Sequence, residues 1–309
     1  MDTQSRALQS IREFLQSKTS YDVLPVSFKI VMLDTKLTLK GTLLTLLQNG
    51  IISAPLWDSN QSRFAGLLSS QDFMNVAQYL IDRPEKAEEI NTITLDQLAE
   101  IESTIGARQI ETSRIHPFKS LYETCQHIVE SKAHRVPLID TDPETGREIV
   151  VSVLTQYRVL RFVALNCKET QDLKIPIKDL NLATRENLHT ATMDTQLADV
   201  VGAFSKYGVS CVPIVDENNK LLNVYEAYDV MTLIKGNGFS DFSLSIGKAL
   251  MRRPQDFEGV ITCSEHDSVA HIMETIRRSR VLRLCMVDEE GKLLGLVTLV
   301  DILNYIMFG

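Results

Sequence analysis

Apolar residues recur at helical spacing in four short segments, LTLKGTLLTLLQNG, SLYETCQHIVESK, QLADVVGAFSKYG and SVAHIMETIRRSR. The 3.6-residue period predicts four amphipathic helices. Each feeds an apolar run that closes on aspartate: APLWD at Asp58, VPLID at Asp140, VPIVD at Asp216 and LCMVD at Asp288. Proline holds the same place in three copies, at Pro55, Pro137 and Pro213, and Cys285 takes it in the fourth. A polar turn, a second apolar run and another helix follow, in FAGLLSSQDFMNV, IVVSVLTQYRVLRFV, LLNVYEAYDVMTLI and LLGLVTLVDILNYI. The pattern is therefore one unit, helix–strand–turn–strand–helix, written four times at a spacing of roughly 70 to 80 residues.

Two or three short strands per unit cannot cover both faces of their own sheet, so the units are expected to pair and share cores. The predicted fold class is α/β, with four repeats in two tandem pairs. The boundaries read as an N-terminal amphipathic helix over 1–20, then repeats over 21–82, 110–166, 184–236 and 255–309. Polar linkers, DRPEKAEEINT in the first and KETQDLKIP in the second, run through roughly 82–115 and 166–192.

Composition narrows the function. The 44% hydrophobic and 23% charged content is that of a packed globular chain. No apolar run reaches the roughly 20 residues of a membrane span, and the N-terminus lacks a signal-peptide core, so a non-membrane, intracellular protein is expected. Five cysteines without C-x-x-C or metal-ligand spacing read as reduced thiols, with no metal site. A net charge of −8 argues against an extended nucleic-acid surface while leaving room for a local basic cleft. Phosphate-loop, dinucleotide-turn, kinase, nucleophile-elbow and zinc-protease motifs are all missing, and no catalytic residue or catalytic cofactor is nominated.

The chemistry lies where the second helix of each unit starts. Three copies read Ser69-x-x-Asp72, Glu226-x-x-Asp229 and Thr298-x-x-Asp301; the second reads Thr155-x-x-Arg158. The plainer explanation is a helix cap, with an acid favouring the positive helix end. The sharper one is a carboxylate accepting hydrogen bonds from a ribose diol, and both can hold together. Arg158 fits neither, because a cation opposes the dipole there, and reads as an exchange of sugar binding for phosphate binding or for a structural ion pair. Six residues before each closing aspartate stand Ile52, His134, Ser210 and Leu282, followed by Ser53, Arg135, Cys211 and Arg283. If the copies are pseudo-symmetric, these columns face one another, and His134, Arg135 and Arg283 can meet phosphate oxygens. The plainer account of these cations is a solvated face or surface ion pairs with nearby acids.

The repeat resembles the cystathionine-beta-synthase (CBS) domain. The stretches TSYDVLP, SAPLWDS, FAGLL, VSVLTQYRVLRFVALNCKET, LLNVYEAYDV and ALMRRPQDFEGV resemble the gamma-subunit family of AMP-activated protein kinases, above all its fungal branch in the sucrose-nonfermenting kinase complex. The resemblance implies a flattened disk of four CBS repeats and a non-catalytic subunit that senses energy or carbon status. It implies partnership with a catalytic alpha and a scaffolding beta subunit in cytoplasm and nucleus, and AMP, ADP or ATP as regulatory ligand. Asp301 would hold ribose, with Thr298 and Val300 in the same turn and Thr184 lining the adenosine pocket. His134, Arg135, Ser210 and Arg283 would lie towards the phosphates. Thr155 to Arg158 would form an inward turn whose pocket stays empty. Animal members carry arginine at the position of Ile52 and histidine at that of Leu282, so fewer occupied sites are expected, Asp301 first and Asp72 and Asp229 behind it. Nucleotide binding would bias the kinase towards a phosphatase-shielded state; the alternative is a constitutive assembly subunit with vestigial clefts.

Overall fold

The protein is described by a computed structural model covering residues 2–107, 109–254, 257 and 259–309, with residues 87–90 and 236–240 described by their backbone alone. The boundary at 255 and part of ALMRRPQDFEGV lie outside the described residues.

Helix α1 (Thr3–Ser17) precedes four copies of the unit. Repeat 1 comprises β1 (Leu33–Asp34), α2 (Leu39–Gln48), β2 (Ala54–Asp58), β3 (Arg63–Leu68) and α3 (Ser70–Ile81), and is followed by α4 (Leu98–Thr104). Repeat 2 has α5 (Leu121–Glu130), β4 (Arg135–Thr141), β5 (Glu148–Thr155) and α6 (Gln156–Asn166). Repeat 3 has α7 (Leu197–Tyr207), β6 (Cys211–Val215), β7 (Leu221–Glu226) and α8 (Ala227–Asn237), then α9 (Ile246–Leu250). Repeat 4 closes the chain with β8 (Thr262–Cys263), α10 (Val269–Arg278), β9 (Arg283–Val287), β10 (Leu293–Thr298) and α11 (Leu299–Phe308).

The closing aspartates have a physical reason. In each hairpin a carboxylate caps the turn: Asp58 Oδ1 accepts from the Asn60 amide at 2.9 Å, Asp216 Oδ1 from Asn218 at 2.9 Å and Asp288 Oδ1 from Glu290 at 2.9 Å. In repeat 2 the turn starts two residues later, so Asp142 does this at 2.8 Å to Glu144, and Asp140 instead accepts from His116 at 3.0 Å. These are Asx turns, which hold the chain reversal without help from the core. A short segment also leads each unit and pairs parallel with its first long strand: β1 on β2, Ile115 on Leu138, Ala191 on Ile214 and β8 on β9. One or two residues carry no periodicity, so these segments are invisible to the hydrophobic pattern.

Sheets and helices pair differently. The sheet of repeat 1 abuts that of repeat 2, where the Phe64 amide donates to Glu148 Oε2 at 2.7 Å. The sheets of repeats 3 and 4 join through Leu221 N to Gly291 O and Leu293 N to Asn219 O, both 2.9 Å. Helices cross between these tandem pairs. In one core α3 packs on α7 and α8, uniting Phe73, Met74 and Leu80 with Val201, Phe204 and Met231. In the other, α6 meets α10 and α11 meets α5, uniting Ile128 and Val163 with Ile276 and Ile306. The four repeats thus form a closed ring in the order 1–2–4–3. The N-terminal helix joins the second core through Ala7, Leu8, Ile11 and Leu15. Burying its Ile11 and Leu15 contributes about 1.5–3 kcal/mol each.

The first linker is more structured than its polar composition suggests. Leu95, Leu98 and Ile101 bury against repeat 1, and the segment is tied to it by Leu39 N to Ile93 O at 2.8 Å and Leu67 N to Glu111 O at 2.9 Å. In the second, Leu173 and Ile177 are fully buried against repeat 4.

Candidate functional site

Three of the four second-helix turns share one cap, an acid three residues on bonding back to the cap amide. Asp72 Oδ2 accepts from the Ser69 amide at 2.6 Å and its hydroxyl at 2.9 Å. Asp229 Oδ2 accepts from the Glu226 amide at 2.8 Å. Asp301 Oδ2 accepts from the Thr298 amide at 2.8 Å and hydroxyl at 2.6 Å. In repeat 2 the bond runs only one way, from the Arg158 amide to Thr155 Oγ1 at 3.3 Å, and the half-buried Arg158 side chain has no hydrogen-bond partner among the described residues. Capping uses one carboxylate oxygen, so the functional question concerns the remaining face of each acid.

At Asp229 that face is filled by an arginine from the linker between repeats 3 and 4. Arg253 Nε donates to Oδ1 at 2.8 Å and Nη2 to Oδ2 at 2.6 Å; Nη1 reaches Asn223 at 3.0 Å, and Phe257 stacks 3.9 Å from the guanidinium. Both partners are almost fully buried. Beside Asp72 stands Glu102 of α4, which is completely buried and within hydrogen-bonding reach of the Asp72 carboxyl. Burial, then the Asp72 carboxylate, pushes the Glu102 carboxyl up to about 8, and burial also raises Asp72. Glu102 Oε2 is buried and meets no donor. A proton held between the two carboxyls satisfies both, since like charges so close cannot both ionise. Asp72 and Asp229, expected to rank behind Asp301 as ribose acids, are therefore engaged internally. Asp301 differs: it is half-buried, and its Oδ1 has no partner among the described residues. Burial raises its pKa while the Thr298 bonds and the nearby His134 oppose that rise.

The columns ahead of the closing aspartates do face one another between tandem repeats. Arg135 Nη1 donates to Ser53 Oγ, joining repeats 2 and 1, and Arg283 Nη2 donates to Ser210 Oγ at 3.2 Å, joining repeats 4 and 3. Their electrostatics diverge. Arg283 is paired with the Glu226 carboxylate. Arg135 binds only neutral groups, the Ala133 carbonyl at 2.9 Å and Ser53. Burial, then the neighbouring charge of Arg280, pulls its pKa down to about 10, so it stays a cation at neutral pH. Among the described residues neither Arg135 nor Arg280 has a carboxylate partner. Beside them His134 adopts a left-handed backbone, φ 50°, which costs a non-glycine residue about 1 kcal/mol or more. Its Nδ1 is buried without a partner, and burial lowers its pKa. The site thus holds an unpaired acceptor at Asp301 and uncompensated cations at Arg135 and Arg280, with His134 within electrostatic reach of both Asp301 and Arg135.

Thr184 docks on repeat 4, two residues before the Thr298 cap, by reciprocal backbone bonds with Leu296 of 2.9 Å each. Gly295 permits this approach, because a Cβ there would stand 2.8 Å from the Thr184 carbonyl oxygen. Val300 is half-buried in the same turn. Cys211 has its thiol buried in the sheet interface of repeats 3 and 4 with Val224, Cys285 and Leu293, where burial pushes it up to about 11. Leu282 lines a cavity of about 270 Å³ with Asp229, Arg253 and Arg283, and Ile52 is half-buried and brings no charge. A larger cavity, about 1200 Å³, borders Asp72, Lys132, His134 and Lys206. Sequence reasoning missed Glu102, Arg253 and Arg280. Only Arg280 left a signal, since RRSRVLR places three further cations next to the Arg283 column.

Comparison with known proteins agrees with this architecture. The CBS domain model matches residues 177–236 and 248–308. The chain is 56% identical to the 5'-AMP-activated protein kinase subunit gamma of Saccharomyces cerevisiae, over 99% of this chain and 95% of that one. It is 55% identical to the same subunit of Kluyveromyces lactis, over 99% and 93%. The crystal structure of a Methanocaldococcus jannaschii protein shares the fold with a TM-score of 0.74 at 18% identity, covering 93% of this chain and 99% of that one. A four-repeat ring built from CBS units, matched along its whole length by curated gamma subunits, belongs to the gamma-subunit family of 5'-AMP-activated protein kinase, a regulatory and not a catalytic component.

Proposed function

We propose that the chain binds an adenine nucleotide at the Asp301 turn and uses it to regulate a heterotrimeric protein kinase. The observation that carries this reading is the Asp301 Oδ1, without a partner among the described residues, within electrostatic reach of His134, which in turn neighbours Arg135, a cation with no carboxylate partner among those residues. A ribose diol donates to the carboxylate, and phosphate oxygens accept from the guanidinium of Arg135 and from His134. Thr298 and Val300 flank the sugar and Thr184 the base. The curated relatives are subunits of a kinase named for activation by 5'-AMP, which supports an adenine ligand. Catalytic alpha and scaffolding beta subunits are the proposed partners, in cytoplasm and nucleus. A ligand shifts the kinase equilibrium only by binding one state better, so AMP or ADP has to favour the phosphatase-shielded arrangement over ATP.

Calorimetric titration of AMP, ADP and ATP into the trimer, beside Asp301→Ala, tests the reading. Micromolar binding that disappears in the variant supports it. Absence of binding to the intact trimer favours the second reading, a constitutive assembly subunit, for which the apolar Ile52 and Leu282 and the internally engaged Asp72 and Asp229 speak.

A further inference from the structure

We infer that Glu102 is the residue that withholds the first repeat from nucleotide, acting as an internal ligand of Asp72 in the place a ribose would take. The inference rests on the ribose reading of the repeat acids and asks why one of them is silent. Size is not the reason: the cavity beside Asp72 measures about 1200 Å³ and already presents Lys132, His134 and Lys206 as cations or potential cations along its wall. Loss of the acid is not the reason either, because Asp72 keeps the same Ser69 cap that Thr298 provides for Asp301. What differs is α4.

This helix is fastened at both ends. Upstream, Leu95 N donates to Leu37 O at 3.1 Å and Thr94 bridges Thr38; downstream, Leu67 N donates to Glu111 O at 2.9 Å. Leu98 and Ile101 anchor it in the core of repeats 1 and 3. Glu102 is consequently held, fully buried, against the face of Asp72 that the cap leaves open. Asn75 Nδ2 lies 3.5 Å from its Oε1. The orphaned Oε2 is accounted for if Glu102 is protonated and donates to Asp72, as a ribose hydroxyl would. A nucleotide entering here would have to expel a buried, hydrogen-bonded carboxyl before gaining its own bonds. At Asp301 no described residue bonds Oδ1 and would have to be expelled.

The experiment is AMP titration by calorimetry into the full chain in its kinase trimer, comparing wild type, Glu102→Ala and Glu102→Gln, each also with Asp301→Ala. Alanine removes the internal donor, whereas glutamine keeps one. The expected result is one additional equivalent of AMP in Glu102→Ala, retained with Asp301→Ala and abolished by adding Asp72→Ala, and no additional equivalent in Glu102→Gln. Unchanged stoichiometry in a Glu102→Ala protein that melts cooperatively overturns the inference, as does an equal gain in Glu102→Gln. If Glu102→Ala does not fold, Glu102→Ser is read by the same criteria. Wild type that binds no AMP defeats the proposed function alone, because the gain or its absence in Glu102→Ala still reports on the plug.

Discussion

Repeats 1 and 4 carry the same local device, a hydroxyl-bearing cap whose acid three residues on bonds back to the cap amide. Around Asp72 the linker helix α4 brings a second carboxyl, and burial raises the pKa of both. Around Asp301 no linker residue among those described bonds the free oxygen, and the neighbouring titratable group is His134 of another repeat. Asp229 in repeat 3 is a third outcome, closed by a cation instead of an acid. Equivalent sequence positions therefore acquire different chemistry according to what a linker places on them, and the proposed ligand site is the position left uncovered.

The contrast can be broken most severely at Asp229. Asp229→Ala strands the buried Arg253 guanidinium, and losing one partner of a buried pair costs about 3–5 kcal/mol. Asp301→Ala removes a cap of about 1 kcal/mol. Denaturant titration of the two variants should separate them clearly, and equal losses would show that Arg253 is not held as described.

Ligand affinity should rank the acids in the opposite order. Hydrogen bonds to a charged group contribute about 1.5–3 kcal/mol each, so Asp301→Ala should weaken AMP by about tenfold to over a hundredfold. Asp229→Asn, measured by the same calorimetry, should leave the affinity of that site within a factor of about three.

Gly295→Ala probes how the Thr184 loop is seated. Its new Cβ would lie 2.8 Å from the Thr184 oxygen and 2.9 Å from Met286 Cε. Overpacking of this kind costs about 1–3 kcal/mol. Lower stability together with weaker AMP binding is expected; a loss of stability alone would detach Thr184 from the ligand.

The smallest effect is a pH dependence. Glu102 has its folded pKa raised to about 8 against an ordinary 4.5, so its stabilising contribution is complete below about pH 4.5 and is lost as pH rises through 8. The slope is at most about 1.4 kcal/mol per pH unit. The cavity bordering Asp72 also carries Glu111, Lys132 and His134, which remain in the variant. Glu102→Gln should flatten the melting temperature between pH 5 and 8 relative to wild type, and an unchanged profile would mean that the pair shares no proton.

Much of this was legible in one dimension. The repeat, its amphipathic helices and its hairpins follow from periodicity and turn chemistry, which act over a few residues, and Asp58, Asp216 and Asp288 recur because each closes its own turn. The caps at Ser69 and Thr298 were equally local. Position 140 misled for a local reason as well, since the longer turn of repeat 2 passes the capping role to Asp142. The facing of Arg135 with Ser53 could be anticipated from pseudo-symmetry, but not its lack of a counter-charge beside a paired Arg283.

Secondary structure, fourfold repetition, the family and the presence of an acid at three helix starts are properties of the chain as a string, because hydrogen-bonding and hydrophobic period are short-range. Which helices share a core, and which acid stays open, were settled by tertiary structure. Glu102 lies 30 residues from Asp72 in sequence and Arg253 lies 24 from Asp229. Neither offers a periodic or motif signal, and both contacts form only after the linkers have packed; at Glu102 burial then raises the carboxyl.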